Sequence, residues 1–150
     1  MIDICGVSKY YDKRTVVDNV KLEVKEGEFF VIVGPSGSGK TTILKMINRL
    51  IEQDEGDIII DGNKKLKDYD LRELRLEIGY VLQQIALFPN MTVLENVSIV
   101  PDMKKWPMEK TLEAAKKLLR RVGLDPEIYL KAYPSDLSGG EQQKVGIIRA

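Results

Sequence analysis

The sequence contains no histidine in its 150 residues and a single cysteine, Cys5. The absence of histidine excludes His-based acid–base catalysis and His-ligated metal sites within these residues. One thiol cannot form an internal disulfide, and an unpaired cysteine is typical of a reducing cytosol.

The chain also lacks net charge and long apolar runs. Lys plus Arg and Asp plus Glu both number 23, which argues against a sequence-independent nucleic-acid binder. No run of about 18 apolar residues is present, so no segment is expected to span a bilayer. The N-terminus, Met1–Ile4, has neither the basic nor the apolar part of a signal peptide. With 43% apolar residues, the sequence predicts one globular domain or part of a larger one.

A glycine-rich loop lies between an apolar run and a helical pattern. The run Phe29–Val33 predicts a strand buried on both faces. The loop Gly34–Thr41 reads GPSGSGKT and fits the pattern G-x-x-x-x-G-K-[ST]. The helix that should follow has its apolar side chains at Ile43, Leu44, Ile47, Leu50 and Ile51. Strand, loop and helix in this order predict a phosphate-binding P-loop.

The residue types of this loop suit a polyphosphate. Gly34, Gly37 and Gly39 lack a Cβ atom, so the loop can curl and bring backbone N–H groups together. The helix that begins near Gly39 adds unpaired N–H groups and the positive end of its dipole. Lys40 supplies a cation for the β- and γ-phosphates, and the Thr41 hydroxyl is placed to bind Mg²⁺.

A second motif, Leu137–Gln142, reads LSGGEQ and opens another predicted helix. Ser138 and Glu141 fit the S-x-x-E pattern of a capping box, and one interpretation is simply a well-capped helix. The alternative is a second anion site, because Gly139 and Gly140 admit close approach of a phosphate to a helix N-terminus. The P-loop upstream favours the second interpretation.

The remaining elements follow from apolar periodicity, capping residues and turn residues. Strands are predicted over a short alternation that starts at Ile2, over Val20–Val24, Asp57–Gly62 and Ile78–Leu82. Helices are predicted over Leu71–Glu77, Val93–Val100, Pro107–Val122 and Pro126–Ala132, the second of them capped by Thr92 and Glu95.

In order and spacing, these motifs resemble the nucleotide-binding subunit of an ATP-binding cassette (ABC) transporter over essentially the whole chain. Gly34–Thr41 matches the Walker A motif and Leu137–Gln142 the family signature. The resemblance implies an α/β fold: a P-loop NTPase (RecA-like) core with an N-terminal antiparallel β layer and a helical subdomain, the C-terminal part of the core being absent from these residues. It divides the chain into the β layer and P-loop core (1–84), the helical subdomain (85–135) and the signature helix (136–150).

The same resemblance implies ATP and Mg²⁺ as cofactors. Tyr11 matches the aromatic residue that stacks on adenine, although Tyr10 beside it is an alternative. Lys40 and Gln83 take catalytic roles, and Thr41 and Gln83 contact the metal. The implied nucleotide contacts are Tyr11, Gly34, Pro35, Ser36, Gly37, Ser38, Gly39, Lys40, Thr41, Thr42, Ser138, Gly139, Gly140 and Glu141.

The family's mechanism implies a head-to-tail dimer of two ATPase subunits at the cytoplasmic face of the cell membrane. Further expected partners are membrane permease subunits and, through them, an extracytoplasmic solute-binding protein; no nucleic-acid partner is expected. Three stretches are similar to importers of glycine betaine, carnitine and choline: Lys45–Ile51, Ile78–Pro89 and Val100–Pro101.

No apolar strand ending in Asp-Glu follows the signature within these 150 residues. In the family, that strand supplies a Mg²⁺-binding Asp and the general base Glu, and it pairs within the core sheet. We therefore expect exposed apolar surface, and ATP binding with far slower hydrolysis than in a full-length subunit. The alternatives are a soluble ABC-type ATPase that acts on nucleic acid or ribosomes, and a non-catalytic nucleotide-binding module.

Overall fold

The computed structural model describes residues 1–12, 14–62, 64–84 and 86–150, and it divides into two compact units, Met1–Arg75 and Leu76–Ala150. Residue 85, where the helical subdomain is expected to begin, lies outside the described residues. Within the described ranges, no helix is long and apolar enough to cross a membrane.

The first unit contains an antiparallel sheet of four strands in the order β2-β1-β3-β4. Its strands are β1 (Ile2–Tyr11), β2 (Arg14–Val24), β3 (Glu55–Ile60) and β4 (Lys64–Lys65). The predicted antiparallel β layer is therefore confirmed. It is larger than the sequence suggested, because β2 begins well before the alternating segment Val20–Val24.

One face of this sheet is buried. Ile4 pairs with Ile58, and both side chains are almost fully buried, as is Val7. Gly56 allows β3 to approach β1 closely: its φ is +78°, and a Cβ atom there would lie 2.3 Å from the carbonyl oxygen of Gly6. Only glycine fits such a position without strain.

Among the described residues, the first unit also contains α1 (Lys40–Ile47), and α2 (Leu71–Glu77) begins in it and extends past Arg75. Both were predicted, but the buried side of α1 differs from the expected one. Ile43 is buried as predicted, whereas Leu44 is 48% exposed and the fully buried Met46 lies on the inner face instead. Ile43 and Met46 are three residues apart, which places them on one side of a helix.

The predicted strands Phe29–Val33 and Ile78–Leu82 are wrong as strands, since neither segment has regular secondary structure. Phe29 is 93% exposed and Val33 is 84% exposed, so the expected exposure of apolar surface is confirmed. The physical reason is that a strand exists only through hydrogen bonds to a neighbour. An apolar run shows that a segment could be buried, but not that a partner strand lies beside it.

The second unit is helical, with α3 (Val93–Met103), α4 (Met108–Arg121), α5 (Pro126–Tyr129) and α6 (Gly139–Arg149). These helices confirm the predicted ones to within a few residues at each end. Their inner faces share one core, made of Val93, Val97, Ala115, Leu119, Leu124, Leu130, Leu137 and Val145.

Candidate nucleotide-binding site

No side chain of the described residues caps the N-terminus of α1. Its N-cap is Gly39, in the left-handed conformation, with no side-chain hydrogen bond to the cap and no acidic residue in the first turn. A Cβ atom at Gly39 would lie 2.6 Å from the carbonyl oxygen of Val16, so the loop packs directly on the backbone of β2. The first-turn N–H groups have no acceptor within the helix and carry the positive end of its dipole.

Lys40 is enclosed by the loop that precedes it. Its Nζ atom donates to the carbonyl oxygens of Gly34 at 2.8 Å and Pro35 at 2.7 Å, and to the Ser38 hydroxyl at 3.2 Å. An ammonium group has three protons, so these three acceptors account for all of them. The loop is thereby folded around a positive charge that lies next to the open helix end.

A cavity of about 160 Å³ lies at this helix end. Its lining residues are Val16, Gly37, Ser38, Gly39, Lys40, Thr41 and Thr42. These described lining residues carry hydroxyl groups, an ammonium and amides but no carboxylate, a donor set that fits the phosphates of a nucleotide. The Thr41 hydroxyl is a hard oxygen ligand of the kind that Mg²⁺ prefers.

Val16 is a lining residue that the sequence analysis missed. It lies in β2, four residues before Val20, where the alternation that predicted this strand begins. The neighbouring segment Arg14–Val17 contains β-branched residues, a signal that could have extended the strand to this point.

Tyr10 and Tyr11 end β1 and are 37% and 44% exposed. The Tyr10 amide donates to Asp54 Oδ2 at 2.6 Å, whereas Lys9 Nζ lies 5.5 Å from the centre of the Tyr11 ring. Neither ring lines the cavity at α1. Both remain available for stacking, so the adenine-binding role of Tyr11 stays a prediction.

The N-terminus of α6 is capped by side chains. Glu141 Oε2 accepts hydrogen bonds from the Ser138 amide and the Ser138 hydroxyl, both at 2.7 Å, and Ser138 Oγ accepts from the Glu141 amide at 3.4 Å. The predicted capping box is confirmed. The pKa of Glu141 lies at about 2, below its ordinary 4.5, because hydrogen bonds from the Tyr129 hydroxyl and then from Ser138 stabilise the carboxylate.

Gly139 and Gly140 form the first turn of α6 beside this cap. A Cβ atom at either would meet no other atom within 4 Å in the described chain. The chain's own packing therefore does not require glycine here. Their first-turn N–H groups point away from the helix and have no acceptor in it, so an external acceptor could approach both.

Gln83 is exposed and lines a cavity of about 230 Å³ within the second unit. The other lining residues are Val81, Leu82, Gln84, Ala86, Gln142, Gln143, Gly146, Ile147 and Arg149. Arg149 at the end of α6 donates a hydrogen bond to the carbonyl oxygen of Ala86. Gln83 and the signature helix thus line one cavity, a proximity that sequence reasoning missed because it joins residues more than 50 positions apart.

Comparison with known proteins agrees with this arrangement. A family described as ABC transporter matches residues 17–150. The chain is 50% identical to the glycine betaine/carnitine/choline transport ATP-binding protein OpuCA of Bacillus subtilis, over 100% of this chain and 39% of that protein. It is 52% identical to the osmoprotectant import ATP-binding protein OsmV of Salmonella typhimurium, over 96% of this chain and 37% of that protein.

Among solved structures, the chain is similar to a dimeric ATP-binding cassette, MJ0796, in a post-hydrolysis state bound to ADP and Pi. The TM-score is 0.86 at 38% identity, over 99% of this chain and 68% of that one. The predicted fold class is confirmed by this likeness. The chain spans about 39% of the length of OpuCA, so it corresponds to less than half of that relative.

Proposed function

The chain belongs to the ABC transporter family, and on that premise we propose that it is the ATP-binding part of the subunit that powers an importer. The observation that carries the proposal is the open N-terminus of α1 beside the enclosed Lys40. A helix N-terminus without a side-chain cap, next to a cation, favours the binding of an anion.

In this proposal, residues of the loop Gly34–Thr42 hold the phosphates of ATP. Backbone amides of the loop and the first turn of α1 donate to phosphate oxygens, while Lys40 turns its ammonium from loop carbonyls toward the β- and γ-phosphates. The Thr41 side chain would hold Mg²⁺, which would neutralise charge on the phosphates. The metal contact of Gln83 stays a prediction. Tyr11 stacks on the adenine ring.

Substitution of Lys40 by Ala tests the phosphate site. Loss of a charge-assisted contact is expected to weaken ATP binding about 100-fold, measured by fluorescence titration with a labelled nucleotide. Lys45→Ala is the matched control, because Lys45 lies in the last turn of the same helix, away from the loop. Unchanged binding in Lys40→Ala, with a native circular dichroism spectrum, would falsify the P-loop assignment.

We further propose that two copies pair head to tail, so that each nucleotide is shared. The Ser138–Gly140 segment of one copy faces the γ-phosphate held by the loop of the other copy. Two observations support this: the Gly139 and Gly140 first turn is open to an external group, and the similar cassette is dimeric. Nucleotide-dependent dimerisation, followed by light scattering, is expected in the full chain and should be lost in Gly140→Glu.

The proposed cargo of the whole importer is a quaternary-amine osmoprotectant, on the basis of about 50% identity to the betaine and choline relatives. Membrane permease subunits and an extracytoplasmic solute-binding protein are the proposed partners, at the cytoplasmic face of the membrane. Uptake of labelled glycine betaine and choline should fall when the gene is deleted. Unchanged uptake of both solutes would remove this cargo assignment without affecting the nucleotide site.

Residues 1–150 alone are proposed to bind ATP but to turn it over slowly. The sequence holds no Asp-Glu pair at the end of an apolar strand after the signature, so a carboxylate base beside the attacking water is not among these groups. Phosphate release should be close to the background of a Lys40→Ala preparation. Robust turnover that depends on Lys40 would contradict this proposal.

A further inference from the structure

The Glu141 carboxylate has a third donor besides the two groups of Ser138. Tyr129, the last residue of α5, donates its hydroxyl proton to Glu141 Oε1 at 2.5 Å. The Tyr129 ring packs against the core of the second unit, and its amide donates to the carbonyl oxygen of Asp125 at 2.9 Å. The tyrosine is therefore a fixed point from which the carboxylate is held.

A second capping box in the same unit shows that the cap itself does not need this tyrosine. At the start of α3, Glu95 Oε2 accepts from the Thr92 amide at 2.7 Å and from the Thr92 hydroxyl at 2.8 Å. These distances match those at Ser138 to within 0.1 Å. The hydrogen bonds that Glu95 accepts within the described residues all come from Thr92, so an equal cap forms without a tyrosine.

The two helix ends differ in what lies beyond the cap. In α3, the first two amides are already bound, since Val93 donates to Ala132 at 2.9 Å and Leu94 donates to Leu130 at 3.0 Å. In α6 the corresponding amides belong to Gly139 and Gly140, for which the described residues provide no backbone acceptor. Tyr129 therefore lies at α6, the helix whose first two amides have no backbone acceptor within the described residues.

An open pair of amides makes the position of the neighbouring carboxylate important. Glu141 carries a negative charge on a flexible side chain, and a carboxylate that leaves Ser138 can accept hydrogen bonds from the first-turn amides itself. It would then compete with a phosphate and repel it. Bonds to both carboxylate oxygens restrict this movement, whereas the Ser138 bonds hold only Oε2.

We infer that Tyr129 is a positioning residue that keeps the Glu141 carboxylate on Ser138, so that the Gly139 and Gly140 amides remain free to face a phosphate. This inference rests on the proposed sharing of a nucleotide between two copies. Tyr129 itself touches no nucleotide in this arrangement. It acts through Glu141 alone.

The first test addresses the tether, and it needs no nucleotide. In the full chain, Tyr129→Phe should raise the hydrogen-exchange rate of the Ser138 amide about fivefold, as expected for the loss of one hydrogen bond that supports its acceptor. The rate at Thr92 should not change, which makes the α3 cap an internal control. Tyr133→Phe, which removes a hydroxyl from an exposed tyrosine nearby, should change neither rate. An unchanged Ser138 rate in Tyr129→Phe overturns the inference.

The second test addresses the consequence for the nucleotide. With a non-hydrolysable ATP analogue, Tyr129→Phe should weaken dimerisation about fivefold while leaving the nucleotide affinity of a single copy unchanged. In a Glu141→Gln background, which keeps the cap but removes the charge, the same substitution should have no effect. A loss that persists in that background means that Tyr129 acts by another route, and the inference fails.

The two tests separate this inference from the proposed function. If the wild-type chain does not dimerise with the analogue, the proposed sharing of a nucleotide is wrong. The Ser138 exchange rate still decides whether Tyr129 holds the carboxylate.

Discussion

The N-termini of α1 and α6 are built in opposite ways, although both follow glycine-rich motifs. At α1 the cap is a left-handed Gly39 with no side-chain bond, and a lysine occupies the first helical position. At α6 a serine caps the helix and a glutamate occupies the third position. The α1 end supplies a cation, and no side chain of the described residues accepts a hydrogen bond from its amides. The α6 end supplies an anion, and the Ser138 side chain accepts a hydrogen bond from one of its amides.

The difference shows what each end can do alone. In the proposed function the α1 end holds a phosphate by itself, because amides and an ammonium line one cavity. The α6 end has only its two glycine amides open, beside a carboxylate that repels anions. It therefore suits a contact to a phosphate whose charge is already balanced elsewhere.

The largest expected difference between the two ends is the loss of stability when a glycine is replaced by alanine. Gly39→Ala forces a Cβ atom to 2.6 Å from a backbone oxygen at φ +86°. We expect a loss of about 2 to 4 kcal/mol in the free energy of unfolding, measured by chemical denaturation. Gly139→Ala meets open space and should change stability by less than about 0.5 kcal/mol. Equal costs at the two sites would show that the loop does not pack on β2 as described.

A smaller effect on stability and ATP affinity is expected when α1 is given an acidic residue in its first turn, as α6 has. Thr42 is the third helical position of α1, equivalent to Glu141 in α6. Thr42→Glu should leave the helix as stable or slightly more stable, by about 0.3 to 1 kcal/mol, because a carboxylate suits a helix N-terminus. ATP affinity should nevertheless fall about tenfold through repulsion of the phosphates.

Thr42→Gln separates charge from side-chain size in that experiment. It should bind ATP more tightly than Thr42→Glu in an equilibrium titration, since it has the same length without the charge. Similar losses in both variants would indicate that the Thr42 hydroxyl, rather than the open anion site, is what ATP requires.

The local parts of this comparison were accessible from the sequence. Capping depends on residues three apart, so the boxes at Thr92 and Ser138 were predicted correctly, as was the α1 start after Gly39. The α4 helix was bounded by Pro107 and Gly123 for the same reason. Short-range hydrogen bonds are determined by neighbouring residues, and a single sequence contains those neighbours.

The long-range parts were not accessible. The run Phe29–Val33 reads as a buried strand, but pairing depends on a distant partner, and the structure leaves it without one among the described residues. The approach of Val16 to Gly39 and the bond from Tyr129 to Glu141 also join separate elements. Such contacts are set by tertiary packing, which apolar periodicity does not encode.

The next smaller effect is the loss of a helix cap, which contributes about 1 kcal/mol to stability. Ser138→Ala should lower stability by that amount, because the Glu141 amide loses its acceptor. Thr92→Ala should have the same cost, since its cap has the same geometry. Only Ser138→Ala should also weaken nucleotide-dependent dimerisation, measured by light scattering. Equal effects of both variants on dimerisation would mean that α6 has no special role in it.

The smallest expected effect is the response of the two capping carboxylates to acid. The pKa of Glu141 is lowered from 4.5 to about 2, and that of Glu95 is also lowered by its bonds from Thr92. A carboxylate with a depressed folded-state pKa contributes stability above its unfolded pKa and loses it as pH falls through the folded value. The Glu141 contribution should therefore be complete above about pH 5 and disappear toward pH 2. Carbon-13 titration should give midpoints near 2 for Glu141 and below 4.5 for Glu95. Tyr129→Phe should raise only the Glu141 midpoint.

If both midpoints rise together in that variant, the tyrosine acts on the whole unit, and the caps of α3 and α6 are not independent.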